Sequence, residues 1–323
     1  MKEFYSGEFY SRAMKNLTVG IFHDEEIGRE LGKRGTESDM VMYNRRTDDC
    51  IFTFMQPVGD KVSVKSQIMS CIDAAILAVT EMTPAVGETA LMLDSFGISR
   101  GVIIVPPYTE PSTITTITKG TSLESFVVTE RDIPKIREIL EGFESARDTS
   151  SPVSVVVDHS FHVKGVGEIV LGSVRSGIVK RHDKLLLLPD NTEVVVRSIQ
   201  MQDKDFNEAE AGSRVGLAIK GATAEEMDRG SVICAPGSAR TSTTLTLAFA
   251  PNRYYAAGIR EGAFHLTVGM QTIPVNVTGI NNGTITIESK KSMVYTPDGT
   301  FLLLDLNAKK LHVMGKGHAI ASS

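Results

Sequence analysis

The side chains best able to do chemistry in this chain fall into no catalytic or metal-binding pattern. Cys50, Cys71 and Cys234 are isolated and odd in number. They supply neither a disulfide framework nor a metal-ligand pattern, and they suit a reducing cytoplasm. His159 and His162 have H-x-x-H spacing, but they lie in a strand-like run, where residues three apart point to opposite faces and make a poor metal pair. His23 follows the apolar run VGIF and is either a base at the mouth of a loop or an exposed loop histidine. Arg29 could anchor an anion, because a guanidinium matches phosphate oxygens well. With Asp24, Glu25, Glu26 and Glu30 around it, a local salt bridge is the alternative. Lys164, Arg175, Lys180 and Arg181 cluster on one glycine-rich run, either as contacts for a polyanion or as mixed charged surface. No Ser/His/Asp order, Cys/His arrangement or carboxylate pair marks a catalytic centre, and no metal site is expected.

Two textures of sequence must position these residues. Residues 16–22 (NLTVGIF) read as a buried strand, followed by a polar helix through Leu31. Residues 39–44 and 50–55 read as strands, 62–71 as a helix and 73–80 as a strand. A helix over 88–96 ends at Gly97, a strand over 101–107 is cut by Pro106 and Pro107, 125–129 is a further strand and 132–143 a last helix. This alternation predicts a doubly wound parallel sheet with helices on both faces. Beyond a linker at 148–152 (DTSSP), strands are short, alternate with period two and are separated by Gly, Pro, Asn and Asp. PDN at 189–191 and NNG at 281–283 suit hairpin turns. Two small β-barrels fit, with a seam near 235–241. The expected division is 1–150 for the α/β part, 151–238 for the first barrel and 239–323 for the second.

A length of 323 residues allows two or three domains. No stretch approaches the roughly 18 apolar residues of a membrane helix, and the start MKEFYSGEFYSR lacks a signal-peptide core. A cytoplasmic protein without a membrane partner is expected. Residues 1–150 hold 16 Lys and Arg against 23 Asp and Glu, whereas residues 239–323 hold 8 against 4. A polyanion therefore approaches the C-terminal third more easily than the N-terminal half, unless those surplus charges are plain solvated surface.

Residues 161–185 resemble the second domain of translational GTPases of the elongation factor Tu and SelB group. The pattern there is F-x-I-x-G-x-G-T-V-x-x-G-x-V-x-x-G-x-I-K-x-G-D-x-L, and Gly165, Gly167, Gly172 and Gly177 fall on its architectural positions. The resemblance continues through AGSRVGLAIKG (211–221) and RGSVI (229–233), and more weakly to VMGKGHAI (313–320). Ser198-Ile199-Gln200 looks more like SelB than elongation factor Tu, which has Glu where Gln200 stands. The chain is most similar to archaeal SelB-like factors of methanogens and their relatives, a group that includes the one proposed to carry pyrrolysyl-tRNA.

That resemblance implies a GTPase domain at the N-terminus, with GTP and Mg²⁺ as cofactors, yet the nucleotide motifs are degraded. Alignment on VGIF puts His23 at the first Gly of the P-loop, Gly28 at the second, Arg29 at the Lys and Glu30 at the Ser/Thr. The D-x-x-G motif reads Gln56-Pro57-Val58-Gly59, Asp60 replaces the water-orienting His, and Pro106-Pro107-Tyr108-Thr109 stands where guanine is read. Each loop carboxylate about 4 Å from a phosphate charge costs on the order of 4 kcal/mol at an effective dielectric of 20. No cofactor is therefore expected. The resemblance implies aminoacyl-tRNA or the ribosome as partners of a monomer that does not bind DNA, and the degraded motifs imply that it acts without GTP hydrolysis. Lys164 and Arg175 are candidates for RNA phosphates, with Lys220 and Gln200 near the terminal nucleotide. A GTPase working through divergent loops and a protein-docking module are the alternatives.

Overall fold

The computed structural model describes residues 15–144, 148–202 and 204–320. The first body comprises, in chain order, β1 (Lys15–Phe22), α1 (Ile27–Leu31), β2 (Lys33–Glu37), β3 (Met40–Arg46), β4 (Cys50–Pro57), α2 (Val62–Met69), β5 (Ala74–Ala78), α3 (Pro84–Ser95), β6 (Gly101–Ile104), α4 (Pro111–Thr118), β7 (Val127–Thr129) and α5 (Ile133–Glu141). Its strands run in the order β2-β3-β4-β1-β5-β6-β7. The five from β4 to β7 are parallel, and β3 and β2 add an antiparallel edge. Neighbouring residues of the central strands feed opposite faces, as the pleat requires. Val19, Ile21 and Ile76 pack with Ile27, Leu31, Ile136 and Leu140 of α1 and α5. Phe22, Ala75 and Leu77 pack with Val64, Ile68, Ala90 and Leu93 of α2 and α3.

Two elements lack a sequence signal. β2 (KRGTE) has no apolar residue and forms only as a partner of β3. α4 (PSTITTIT) buries Ile114 alone, so no apolar period shows. α3 begins at Pro84 rather than Glu88, because Thr83 caps it, its side chain accepting the Val86 N–H at 3.3 Å, and Pro84 is preset for a first helical turn.

The second body holds β8 (Ser154–Val163), β9 (Gly167–Ser176), β10 (Ile178–Lys180), β11 (Lys184–Leu188), β12 (Thr192–Met201), β13 (Lys204–Phe206), β14 (Glu208–Glu210), β15 (Arg214–Lys220) and β16 (Val232–Cys234). The order β11-β16-β8-β9-β15-β12 closes through β12 back onto β11. Glycine permits this closure at Gly172, where a Cβ would stand 2.4 Å from the Val156 carbonyl oxygen. The third body, β17 (Arg240–Pro251), β18 (Gly262–Val268), β19 (Gln271–Asn281), β20 (Thr284–Tyr295), β21 (Phe301–Leu304) and β22 (Val313–Ala319), is a closed barrel in the order β17-β20-β19-β18-β21-β22. Met270, Leu302, Leu304 and Val313 of this barrel share the core beneath α2 and α3. Sheet and second barrel are thus joined by buried apolar surface as well as by chain. Among the described residues no helix is long and apolar enough to cross a membrane.

Candidate functional site

The loop after β1 is closed by its own side chains. The Asp24 carboxylate accepts the backbone N–H groups of Glu26 and Ile27 on Oδ1, each at 3.0 Å, and Nε of Arg131 on Oδ2 at 2.9 Å. Burial pushes its pKa up, but Arg131 and the two amides outweigh that and hold it below the ordinary aspartate value. Arg131 also binds the Glu30 carboxylate. Arg29 is exposed and pairs with Glu26 at 3.5 Å, the local salt bridge. Gly28 is buried, and a Cβ there would lie 2.4 Å from the Tyr43 ring and 2.6 Å from Gln56 Oε1. Gln56 donates through Nε2 to the Asp24 carbonyl at 2.9 Å, while its buried Oε1 has no partner. Gly59 takes φ +71° with open space where a side chain would go.

His23 differs from the expected exposed loop residue. It is half-buried at φ +64°, with Nε2 2.8 Å from Thr89 Oγ1. Burial, and then the nearby Lys65 charge, lower its pKa. Lys65 had no sequence signal. Its side chain is 2% exposed, and Nζ donates to Asp60 Oδ1 at 2.7 Å and to Thr89 Oγ1 at 3.2 Å. These residues do not fit a nucleoside triphosphate with Mg²⁺. Two loop amides are taken by Asp24, the cation at the phosphate-anchor position points to Glu26, and an amide occupies the metal-linked carboxylate position.

On the first barrel, cross-strand register sets two outward rows. One runs His159, Leu171, Gly216, Gln200, Asp205, and the other Phe161, Ile169, Ala218, Ser198. The row between them, Ser160, Val170, Leu217 and Ile199, puts its apolar members into the barrel core. Phe161, which is 42% exposed, and the half-buried Ile169 form an apolar shelf, while Ala218 of the same row is buried. Gln200 donates through Nε2 to Asp205 Oδ1 at 3.0 Å. Lys164 is exposed at the tip between β8 and β9, and Lys220 is exposed at the end of β15. Glu168 faces Ile219, the neighbour of Lys220, so both lysines share one end of the shelf.

Arg175 does not join them. Its guanidinium donates to the carbonyls of Cys71 at 2.6 Å and Ser70 at 3.2 Å, the orphan acceptors after α2. Strand alternation put it on the outside of the barrel, but that outside is packed on the sheet. Lys180 pairs with Glu208 at 3.4 Å, and Arg181 meets Asn207.

Sequence reasoning also missed a buried polar cluster. Asp158, 2% exposed at its side chain, accepts from Arg214 Nη2 at 2.8 Å and His159 Nδ1 at 2.7 Å. Burial raises the Asp158 pKa, and the Arg214 charge with the His159 hydrogen bond brings it below the ordinary value. His162 instead meets Glu168 at 2.7 Å, so the two histidines have separate partners. Arg229 donates to the Asp158 carbonyl, to Ser38 and to Gln67, and pairs with Asp39 at 2.7 Å. It thereby ties the first barrel to β2–β3 and α2. Among the described residues no group of His, Cys, Asp and Glu could hold a metal ion.

Residues 167–234 match the family model for elongation factor Tu domain 2. The chain is 35% identical over 308 residues to an uncharacterized protein of Methanocaldococcus jannaschii, covering 94% of this chain and 99% of that protein. It is 28% identical over 267 residues to the selenocysteine-specific elongation factor of the same organism, covering 69% of this chain and 57% of the factor. The crystal structure of translation elongation factor SelB from Methanococcus maripaludis with the GTP analogue GppNHp superposes with a TM-score of 0.82 at 22% identity, over 96% of this chain and 80% of SelB. The apo form gives 0.78, with the same identity and coverage. With an end-to-end archaeal relative, an elongation factor Tu second-domain barrel and the three-body fold of SelB, the chain belongs to the SelB-like translation elongation factors.

Proposed function

We propose that this protein holds the acceptor end of an aminoacyl-tRNA on the outer face of its first barrel and does so without hydrolysing GTP. The observation that carries this is the shelf of Phe161 and Ile169 on the face that bears Gln200, with Lys164 and Lys220 at one end. An unpaired terminal base has a stacking surface there, a stack contributing about 1–3 kcal/mol. The exposed lysines at that end are the proposed contacts for the backbone phosphates that follow. The match of this barrel to elongation factor Tu domain 2, and the likeness of the chain to a selenocysteine-specific elongation factor, support the same assignment. The loop residues Asp24, Gln56 and Arg131, engaged with one another, support a function without nucleotide.

Titration of the protein with fluorescent aminoacyl-tRNA across a salt series tests this. The double variant Lys164→Glu/Lys220→Glu is expected to weaken binding and to reduce the log–log salt slope by about 0.7–0.9 per lost phosphate contact. Phe161→Ala is expected to weaken binding with the slope unchanged. Absence of tRNA binding by the wild type, or unchanged affinity in both variants, refutes the assignment.

A further inference from the structure

Three consecutive residues of α2 reach three different parts of the molecule. Lys65 is tied to Asp60 in the preceding loop and to Thr89 of α3. Ser66 Oγ lies 2.8 Å from Thr267 Oγ1 of the second barrel, both residues buried. Gln67 donates to Thr272 of the same barrel at 3.2 Å and accepts from Arg229 of the first barrel at 3.4 Å. Arg175 of the first barrel then covers the carbonyls after the helix. Nearby, the buried Glu88 of α3 accepts the backbone N–H of His312, and its carboxylate lies 3.0 Å from His312 Nδ1.

We infer that α2 is a permanent clamp between the sheet and both barrels, with the Lys65–Asp60 pair doing from within the chain what a bound nucleotide does for a mobile switch helix. In nucleotide switches the loop before this helix is ordered by γ-phosphate and Mg²⁺ and is released on hydrolysis. Here the ordering group is an ammonium on α2 itself, buried and hydrogen-bonded to the same loop and to α3. The Lys65 side chain is buried while Asp60 is 59% exposed, so loss of Asp60 leaves a buried ammonium with Thr89 as its remaining partner, a destabilising arrangement. The consequence is one arrangement of the three bodies whether or not GTP is present.

Hydrogen–deuterium exchange of the full chain tests this without any RNA, so its outcome is independent of the tRNA assignment. Wild-type α2 amides are expected to exchange at the same rate with and without millimolar GTP and Mg²⁺. Asp60→Ala strands the Lys65 ammonium and is expected to speed exchange of α2 and of the β18–β19 hairpin together, by about tenfold or more, as for loss of a charged hydrogen bond. Lys65→Met removes the cation instead of stranding it, and keeps the test available if Asp60→Ala does not fold. Its α2 is expected to exchange faster than wild type, less so than in Asp60→Ala, and still without response to GTP. Slower α2 exchange on adding GTP and Mg²⁺ overturns the inference. So does wild-type exchange in both variants, or a loosened α2 with an unchanged β18–β19 hairpin.

Discussion

Replacing Asp24 with Ala tests whether the loop after β1 holds itself closed. The carboxylate accepts two backbone N–H groups at 3.0 Å and the Arg131 guanidinium at 2.9 Å, and its side chain is 13% exposed. Loss of a cap of this kind costs about 1 kcal/mol. The Arg131 bond adds about 1 kcal/mol, the low end for a charged pair, because Arg131 is 40% exposed and water screens it. Asp24→Ala should therefore lower unfolding free energy by about 2 kcal/mol at pH 7, and Asp24→Asn, which keeps the acceptor, by about half that. The folded-state pKa lies below the ordinary 3.8. The charge-dependent part is thus fully present above the unfolded value and is lost as pH falls through the folded one. Urea unfolding followed by far-ultraviolet circular dichroism from pH 7 to pH 3 reads both quantities. A cost below about 0.5 kcal/mol for Asp24→Ala, or a gap between wild type and Asp24→Asn that does not narrow in acid, refutes a closed loop held by this carboxylate.

Arg175→Ala should cost about 1–3 kcal/mol in stability, because it uncovers the Ser70 and Cys71 carbonyls. It should leave the salt slope of tRNA binding unchanged, and a slope that falls as it does for Lys164→Glu contradicts its placement on α2. Gly28→Ala should destabilise by about 1–3 kcal/mol through contact with Tyr43 and Gln56. Gly59→Ala, with open space but positive φ, should cost nearer 1 kcal/mol, and paired thermal melts compare the two. Asp158→Ala strands Arg214 and His159 and should cost about 3–5 kcal/mol at pH 7. Because the Asp158 pKa is depressed, that difference should shrink as pH falls below the ordinary aspartate value, which urea midpoints in acid would show.

The parts of the fold visible in the sequence are those whose burial writes a period. β1 and β5 are continuous apolar runs because both faces are covered, and α2 and the barrel hairpins show their spacing and their glycines. β2 and α4 write none, since β2 buries nothing and α4 only Ile114. The site divides in the same way. The loss of the nucleotide motifs and the Arg29–Glu26 pair are local, and a sequence displays them. Lys65 looks like any helix lysine until Asp60 and Thr89 close on it, and Arg175 looks like a surface cation until α2 lies against it. The Asp158–His159–Arg214 cluster joins residues more than fifty positions apart, so neither the histidine spacing nor the charge pattern discloses it.

A factor that works without nucleotide, as proposed for this chain, forgoes what a bound nucleotide contributes to the folded state. A ligand at a hundred times its Kd stabilises its protein by about 2.7 kcal/mol. The Asp24 contacts supply about 2 kcal/mol in the same loop, so they are of the right size to offset that loss. Geometry explains why carboxylates serve here. The Glu26 and Ile27 amides need an acceptor whether or not a ligand binds, and Asp24 supplies one that cannot dissociate. In the proposed nucleotide-independent factor, the Asp24 carboxylate that would repel a phosphate is thus the group that holds the loop closed. The proposed tRNA function assigns binding instead to the barrel face around Phe161, where Lys164 and Lys220 have no ion-pair partner among the described residues.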